Sequence, residues 1–182
     1  MDDPVRIIAG RFKGRRLKAP TWEGLRPTSD RLRETLFNIL APRIAGAHVL
    51  DGYAGTGALG IEALSRGAAH VTFVEDDRRA AALIAGNLAA CGAEGDYTIE
   101  RRDVVSVLRR SAGADFDLIL LDPPYDVVTV GELLEAGARA LARGGLLVLE
   151  RATRREPAVP PSLARVRDVR SGDSTLTFLI LP

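Results

Sequence analysis

A glycine-rich stretch limits the possible folds of this chain more than any other feature. Residues 51–60 read Asp-Gly-Tyr-Ala-Gly-Thr-Gly-Ala-Leu-Gly, with apolar segments on both sides. Glycine lets a backbone turn tightly and approach a ligand closely, and the free N–H groups of a helix N-terminus attract acceptors. The stretch predicts a ligand-binding turn between a strand over 48–53 and a helix over 58–65.

Strand-like and helix-like segments alternate after this turn. We predict strands over 71–74, 97–101, 116–121 and 146–149, and helices over 78–90, 104–110 and 130–141. Continuous apolar strands are typical of a parallel sheet that helices cover on both faces, so the fold class is α/β. Residues 164–170 and 175–181 flank a Ser-Gly-Asp-Ser turn, which predicts an antiparallel terminal hairpin.

The N-terminal part is predicted to hold an arm and a helix. Residues 5–18 alternate loosely between apolar and basic, which favours a small β-hairpin or an extended arm. A helix is predicted from Ser29 to about Leu40, with Thr28 or Ser29 as N-cap and Pro42 ending it. We expect an arm over 1–27 and a main domain over 28–182, which together form one compact domain.

Composition excludes several classes of protein. With one cysteine and two separated histidines, we expect no disulfide and no metal site. The longest purely aliphatic run, 118–121, is far shorter than the roughly 20 residues of a membrane span. The N-terminus is acidic and lacks the apolar region of a secretory signal. We expect a cytoplasmic protein with no membrane partner and, by default, a monomer.

Basic residues are concentrated near the N-terminus. The segment 5–18 has six basic residues and no acidic one: Arg6, Arg11, Lys13, Arg15, Arg16 and Lys18. A basic segment on a nearly neutral protein favours contact with a polyanion, whereas the alternative is an ordinary solvated strand face.

Acidic residues follow the predicted strands and indicate a nucleoside-containing cofactor. Glu75 lies 20 residues after Gly55, where a carboxylate can accept hydrogen bonds from ribose hydroxyls. The glycine spacing also fits a dinucleotide fingerprint. Asp51 favours S-adenosylmethionine, because an acid there would crowd a pyrophosphate but suits the ammonium group of a methionine moiety. Asp103 can accept from an adenine amine, or it can cap a helix.

The tetrapeptide Asp122-Pro123-Pro124-Tyr125 directly follows a predicted strand. Two prolines stiffen the turn and leave carbonyl groups without competing N–H donors. Asp122 and the Pro123 carbonyl can accept both hydrogens of an exocyclic amine, and Tyr125 can stack on its ring. Such orientation addresses the weak nucleophilicity of an aromatic amine. The alternative is a surface turn with a packing tyrosine.

These residues resemble the class I S-adenosylmethionine-dependent methyltransferases and, among them, the RsmD family, which methylates the N2 amine of one guanine in 16S ribosomal RNA. The resemblance covers nearly the whole chain. Its family-specific segments are 6–10, 13–15, 26–28, 30–31, 33–38 and 57–68. Gly52 departs from the family, which usually has a larger apolar residue there, so looser packing behind the turn is expected.

The resemblance implies a Rossmann-like, seven-stranded, mostly parallel sheet with an antiparallel C-terminal hairpin strand. It implies S-adenosylmethionine as cofactor, S-adenosylhomocysteine as product, and a grip on the target base by Asp122, Pro123, Pro124 and Tyr125. Asp51, Gly55 and Gly57 would line the methionine side, Glu75 the ribose and Asp103 the adenine. The full expected cofactor set is Asp51, Tyr53, Ala54, Gly55, Thr56, Gly57, Glu75, Asp76, Asp103, Val104 and Asp122.

The resemblance also gives the basic arm a partner, the 16S ribosomal RNA within the small subunit or its assembly intermediate. The six basic residues of 5–18, together with Arg26 and Arg31, would contact RNA phosphates. Arg33 and Glu34 either join them or are ordinary helix-surface charges. Three alternatives stay open: an adenine-N6 methyltransferase on DNA or RNA, a nicotinamide-dependent oxidoreductase, and a binding module without catalysis.

Overall fold

The computed structural model describes residues 5–22, 30–111, 113, 116–124 and 130–182. The helices are α1 (Asp30–Ile44), α2 (Ala58–Ser65), α3 (Arg78–Cys91), α4 (Val104–Arg110) and α5 (Val130–Ala140). The strands are β1 (His48–Gly52), β2 (His70–Val74), β3 (Tyr97–Glu100), β4 (Phe116–Leu121), β5 (Leu141–Ala152), β6 (Ala164–Ser171) and β7 (Ser174–Ile180). Within these ranges, no helix is long and apolar enough to cross a membrane.

The strands form one seven-stranded sheet, as the family resemblance implied, and their order is β3-β2-β1-β4-β5-β7-β6. Strands β1 to β5 are parallel to one another, and β7 is antiparallel to both β5 and β6. The order reverses between β1 and β4, which are adjacent although β2 and β3 lie between them in sequence. In open α/β sheets, ligands bind at the carboxyl ends of the strands where the order reverses.

Helices cover both faces of the sheet, so two apolar cores form. One core contains Leu36 and Phe37 of α1, Ile61 of α2 and Ile84 of α3, together with apolar residues of the N-terminal arm. The other lies under α4 and α5. This arrangement explains why the central strands are apolar on both faces.

Two predicted elements, α1 and β5, differ from the structure by more than one residue, and tertiary contacts explain both. Helix α1 continues through Pro42 to Ile44, whose side chain is fully buried against the sheet. Strand β5 spans Leu141–Ala152 rather than 146–149. Its start pairs with β4 at Phe116–Leu141, and β7 pairs with its C-terminal half as far as Ala152–Ser174. A strand is extended by a partner that sequence periodicity does not reveal.

The described part of the N-terminal arm folds back on itself and packs against the main domain. Arg6 and Arg16 form an antiparallel bridge, and the N–H of Leu17 donates to the carbonyl of Val5 (2.8 Å). The apolar side chains of the arm are buried in the same core as those of α1, α2 and α3: Val5, Ile7, Phe12 and Leu17. The arm and the main domain therefore share a core.

Arg33 is not a surface charge, contrary to one of the two expectations for it. Its side chain is fully buried, and its Nη2 donates to the carbonyl of Arg6 (2.5 Å) and to Asp30 (2.9 Å). Burial lowers the pKa of Arg33, and the nearby carboxylates of Asp30 and Glu62 oppose that shift. Arg33 thus attaches α1 to the arm.

Candidate functional site

The predicted ligand-binding turn lies between β1 and α2 and is held by backbone hydrogen bonds. The N–H of Ala54 donates to the carbonyl of Val74 at the end of β2 (3.1 Å), and that of Gly57 donates to Ala54 (2.7 Å). Tyr53, Gly55 and Gly57 have positive φ angles of 61°, 57° and 78°. Such a backbone favours glycine, so the glycines at 55 and 57 follow from the shape of the turn.

Gly60 allows α2 to lie close to the sheet. A Cβ at this position would lie 2.2 Å from Cε1 of Phe73 in β2. The space behind Gly52 is also filled, because a Cβ there would lie 2.7 Å from Leu121 and 3.1 Å from Val104. The expectation of looser packing at Gly52 is therefore wrong.

Asp51 is a buried carboxylate at the carboxyl end of β1. It is 2 % exposed, and its Oδ2 accepts a hydrogen bond from the N–H of Gly60 (2.8 Å). Burial, together with the nearby charges of Asp122 and Glu75, raises the pKa of Asp51 to about 8 against the opposing hydrogen bond from Gly60. A buried acid that is costly to ionise alone is well suited to a cationic partner.

Glu75 follows β2 and links that strand to the glycine-rich turn. Its Oε2 accepts from the N–H of Gly55 (2.9 Å), and its Oε1 accepts from Asp77 (3.0 Å). Burial raises its pKa, and these two hydrogen bonds oppose the shift. Each carboxylate oxygen has more than one acceptor position, so Glu75 can hold the turn and still accept from a ligand. Asp76, beside it, is exposed.

Asp103 begins α4 at the same edge of the sheet. Its Oδ2 accepts from the N–H of Ser106 (2.8 Å), so it is the N-cap of this helix, which was the alternative interpretation. Val104, the next residue, is buried. Tyr53 is half-buried between the glycine-rich turn and this helix, and burial together with the charges of Asp103 and Asp76 raises its pKa to about 12.

Asp122 to Pro124 extend β4 beyond the sheet. The N–H of Asp122 donates to the carbonyl of Gly52 (3.4 Å), which places the start of the tetrapeptide beside the end of β1. Asp122 and Pro123 are half-buried, whereas Pro124 is exposed. Tyr125 and Arg26 lie outside the described residues. Three predicted acids, Asp51, Glu75 and Asp122, thus come together at the ends of three neighbouring strands.

A cleft of about 430 Å³ adjoins Pro123 and Pro124. The start of α5, the end of β5 and the segment that follows β5 supply its other walls. They comprise Val130, Gly131, Leu149, Glu150, Arg151, Ala152, Arg155, Glu156, Pro157 and Ala158. In the described ranges, no group of three His, Cys, Asp or Glu residues could hold a metal ion.

All six basic residues of the segment 5–18 are exposed, and so is Arg31. Because the apolar side chains of the arm face the core, the basic ones face solvent. Arg11 makes an ion pair with Asp96 (3.4 Å). The arm therefore presents a basic outer surface.

Three polar residues that anchor the arm were missing from the predicted site. Glu62 is fully buried and accepts from the N–H groups of Ile8 (2.7 Å) and Ala9 (3.0 Å). Ser65 accepts from the N–H of Phe12. Asn87 of α3 joins the arm to the glycine-rich turn. Its Oδ1 accepts from the N–H of Lys18, and its Nδ2 donates to the carbonyls of Lys18 and Thr56.

A signal for these residues exists in the sequence. Glu62 and Ser65 interrupt an otherwise apolar or small-residue helix over 58–65. A polar side chain on the inward face of a short helix requires a partner. The sequence does not show that the partner is the backbone of the arm more than 50 residues earlier.

Comparison with known proteins gives consistent matches along the chain. The model of a family described as Conserved hypothetical protein 95 matches residues 5–180. The Escherichia coli K12 protein called Ribosomal RNA small subunit methyltransferase D is 46% identical over 121 residues, 66% of this chain and 60% of the relative. A Haemophilus influenzae protein with the same name is 46% identical over 123 residues, 66% of this chain and 64% of the relative.

The match to solved structures extends further than the match to these relatives. A structure described as a putative methyltransferase, yhhF, from Escherichia coli has a TM-score of 0.86 and 34% sequence identity, and the alignment covers 98% of both chains. The sequence alignments, by contrast, span less than two thirds of the length of the curated relatives.

Proposed function

Because the chain belongs to the RsmD family and has the class I methyltransferase fold, we propose that it methylates ribosomal RNA of the small subunit. The donor is S-adenosylmethionine, and the acceptor is the exocyclic N2 amine of a specific guanine in 16S ribosomal RNA. The observation that carries this proposal is the convergence of Asp51, Glu75 and Asp122 around one glycine-rich turn.

The residues at this edge fit the proposed cofactor. Asp51 accepts a hydrogen bond from the ammonium group of the methionine moiety. That positive charge lowers the free-energy cost of ionising the buried acid. The turn from Tyr53 to Gly57 brings its backbone close to the ligand, and Glu75 accepts from the ribose hydroxyls. Asp76 is proposed to lie beside the ribose, and Asp103 and Val104 beside the adenine.

The bound cofactor supplies an electrophilic methyl group. Asp122 and the carbonyl of Pro123 accept the two hydrogens of the guanine amine and direct its lone pair towards that methyl. The new N–C bond forms as the S–C bond breaks, and the electron pair of that bond stays on sulfur in S-adenosylhomocysteine. Asp122 then takes the excess amine proton and returns it to solvent. Tyr125 is proposed to stack on the guanine ring.

The arm over 1–27 is proposed to contact RNA while the domain over 28–182 carries out transfer. The described basic side chains of the arm are exposed, and its backbone is held by hydrogen bonds to Glu62 and Ser65. The arm therefore presents positive charge on a fixed surface. Phosphate contacts of this kind depend strongly on salt. The proposed contacts are Arg6, Arg11, Lys13, Arg15, Arg16, Lys18, Arg26 and Arg31. The partner is the small subunit or its assembly intermediate, and the protein acts as a monomer.

The test is transfer of labelled methyl from S-adenosylmethionine to small subunits that lack the modification, beside deproteinised RNA from the same subunits. Nucleoside digestion should give N2-methylguanosine. N6-methyladenosine would instead support the adenine alternative, and no label in either sample would refute the proposal. Tight binding of NADH without any binding of S-adenosylhomocysteine would support the oxidoreductase alternative.

A matched pair of variants tests the role of Asp122. Asp122→Ala should reduce methyl transfer at least about a hundredfold and leave S-adenosylhomocysteine binding nearly intact. Asp117→Ala is the control. Asp117 lies near the start of β4, whereas Asp122 follows its end, and the carboxylate of Asp117 accepts from the N–H of His48 (2.8 Å). Full activity of Asp122→Ala would contradict the proposed mechanism.

A further inference from the structure

Arg151 is a buried arginine with many hydrogen bonds, and the function proposed above assigns it no role. It lies near the end of β5, only 8 % exposed, and its guanidinium reaches in three directions. Nε donates to the hydroxyl of Thr177 in β7 (2.9 Å). Nη1 donates to the carbonyls of Thr153 (3.3 Å) and Arg155 (3.0 Å). A buried side chain with this many donors in use fixes the position of everything that it contacts.

The remaining guanidinium nitrogen completes a small network of charges. Nη2 of Arg151 lies 3.1 Å from a carboxylate oxygen of Glu156 and 3.3 Å from one of Asp168 in β6. Arg165 contacts the same two carboxylates, at 3.0 Å and 3.3 Å. The four side chains balance in charge. The segment that leaves β5 is therefore attached to both strands of the terminal hairpin.

The segment that Arg151 holds is a wall of the cleft beside the catalytic tetrapeptide. Arg155, Glu156, Pro157 and Ala158 line that cleft together with Pro123 and Pro124. Its volume, about 430 Å³, lies in the range typical of ligand sites. An enzyme that modifies a base in folded RNA must receive that nucleotide outside the stack, in a pocket of this kind.

We propose that Arg151 is a positioning residue for the substrate: it fixes the segment 153–158 as the outer wall of a cleft that receives the flipped target nucleotide. This inference rests on the proposed function for the identity of the nucleotide. The position of the segment 153–158, by contrast, follows from contacts within the described residues. Arg151 itself also lines the cleft, and the role proposed for it is to hold the wall through the carbonyls of Thr153 and Arg155.

Lysine cannot replace Arg151 in this role. Its single ammonium nitrogen cannot reach Thr177, the two loop carbonyls and the two carboxylates together, although it preserves the charge. Arg151→Lys should therefore release the segment 153–158 and leave the sheet folded. Arg165→Lys is the matched control, because Arg165 shares Glu156 and Asp168 but makes no described bond to the loop carbonyls.

The first experiment is hydrogen–deuterium exchange of the full-length protein without substrate. In Arg151→Lys, amides of 153–158 should exchange about tenfold faster, whereas those of β1 and β4 and all amides of Arg165→Lys should match the parent. Unchanged exchange in 153–158 would overturn the inference. Faster exchange throughout the sheet would overturn it as well, because Arg151 would then support the whole fold.

The second experiment is kinetic and uses small subunits as substrate. Arg151→Lys should raise KM for the subunits about tenfold, with little change in kcat and an unchanged Kd for S-adenosylhomocysteine. An unchanged KM beside an active parent would refute the inference alone. If the parent itself yields no N2-methylguanosine, the proposed function fails, and the exchange result still decides whether Arg151 holds the wall.

Discussion

Replacing Asp51 by asparagine should make the cofactor-free protein more stable while weakening cofactor binding. The two effects have opposite signs because Asp51 is a buried acid without a cationic partner in the chain's own described contacts. Its pKa is about 8 in the folded protein against an ordinary value of 3.8. Asparagine keeps a carbonyl oxygen for the N–H of Gly60 and has no proton to lose.

The magnitude follows from proton linkage. Between pH 4 and pH 8 the folded state holds a proton on Asp51 that the unfolded state releases, so stability falls as pH rises. One proton corresponds to about 1.4 kcal/mol per pH unit. From pH 5 to pH 7 the parent should therefore lose about 3 kcal/mol of unfolding free energy relative to Asp51→Asn. The raised pKa of Glu75 acts in the same direction in both proteins and cancels in this comparison.

Urea denaturation of both proteins at pH 5 and pH 7, without cofactor, measures this difference. A gap between parent and variant that stays constant with pH would refute the reasoning. Calorimetry gives the complementary result. At pH 7 the parent should release close to one proton on binding S-adenosylhomocysteine, seen as a dependence of the heat on buffer, and Asp51→Asn should bind more weakly without that release.

Three further substitutions test the packing around the site by denaturant unfolding. Gly60→Ala should cost about 1 to 3 kcal/mol because of Phe73, whereas Gly86→Ala, with nothing within 4 Å, should be neutral or stabilising; equal effects would contradict this view. Glu62→Gln should cost about 1 to 3 kcal/mol and speed proteolysis of the arm, and unchanged proteolysis would show that Glu62 does not anchor it.

Much of the fold follows from short-range patterns in the sequence. Helices over 58–65 and 104–110 and the strand over 116–121 have the predicted bounds, because apolar periodicity and capping residues are local signals. The position of Pro42 was misleading. The missing N–H of proline is a local penalty, and burial of Ile44 two residues later outweighs it.

The sequence also predicted which acids share the candidate site. In a parallel α/β sheet, residues that follow successive strands lie at one edge, so Asp51, Glu75 and Asp122 could be grouped from their positions alone. The roles of these acids as ligands to a cofactor or a base stay predictions until binding and transfer are measured. Their protonation could not be predicted, because the pKa of Asp51 depends on burial and on charges brought from other strands.

Contacts between segments that lie far apart in the sequence could not be predicted and are seen only in the folded protein. In the sequence, Arg33 resembles an ordinary surface residue of a helix. In the structure it is buried, and its guanidinium donates to the carbonyl of Arg6. Arg151 likewise reads as one more arginine after a strand, and its partners come from β6, β7 and the following loop.

The order of the elements, the glycine-rich turn and the group of acids at one sheet edge could all be predicted from the sequence. The structure decided how the arm is anchored, how far β5 extends and what holds the wall of the cleft. The two groups of features differ in the distance along the chain over which their causes act. Backbone propensity and periodicity act over a few residues, whereas burial and hydrogen-bond partnership depend on segments that meet only after the chain has folded.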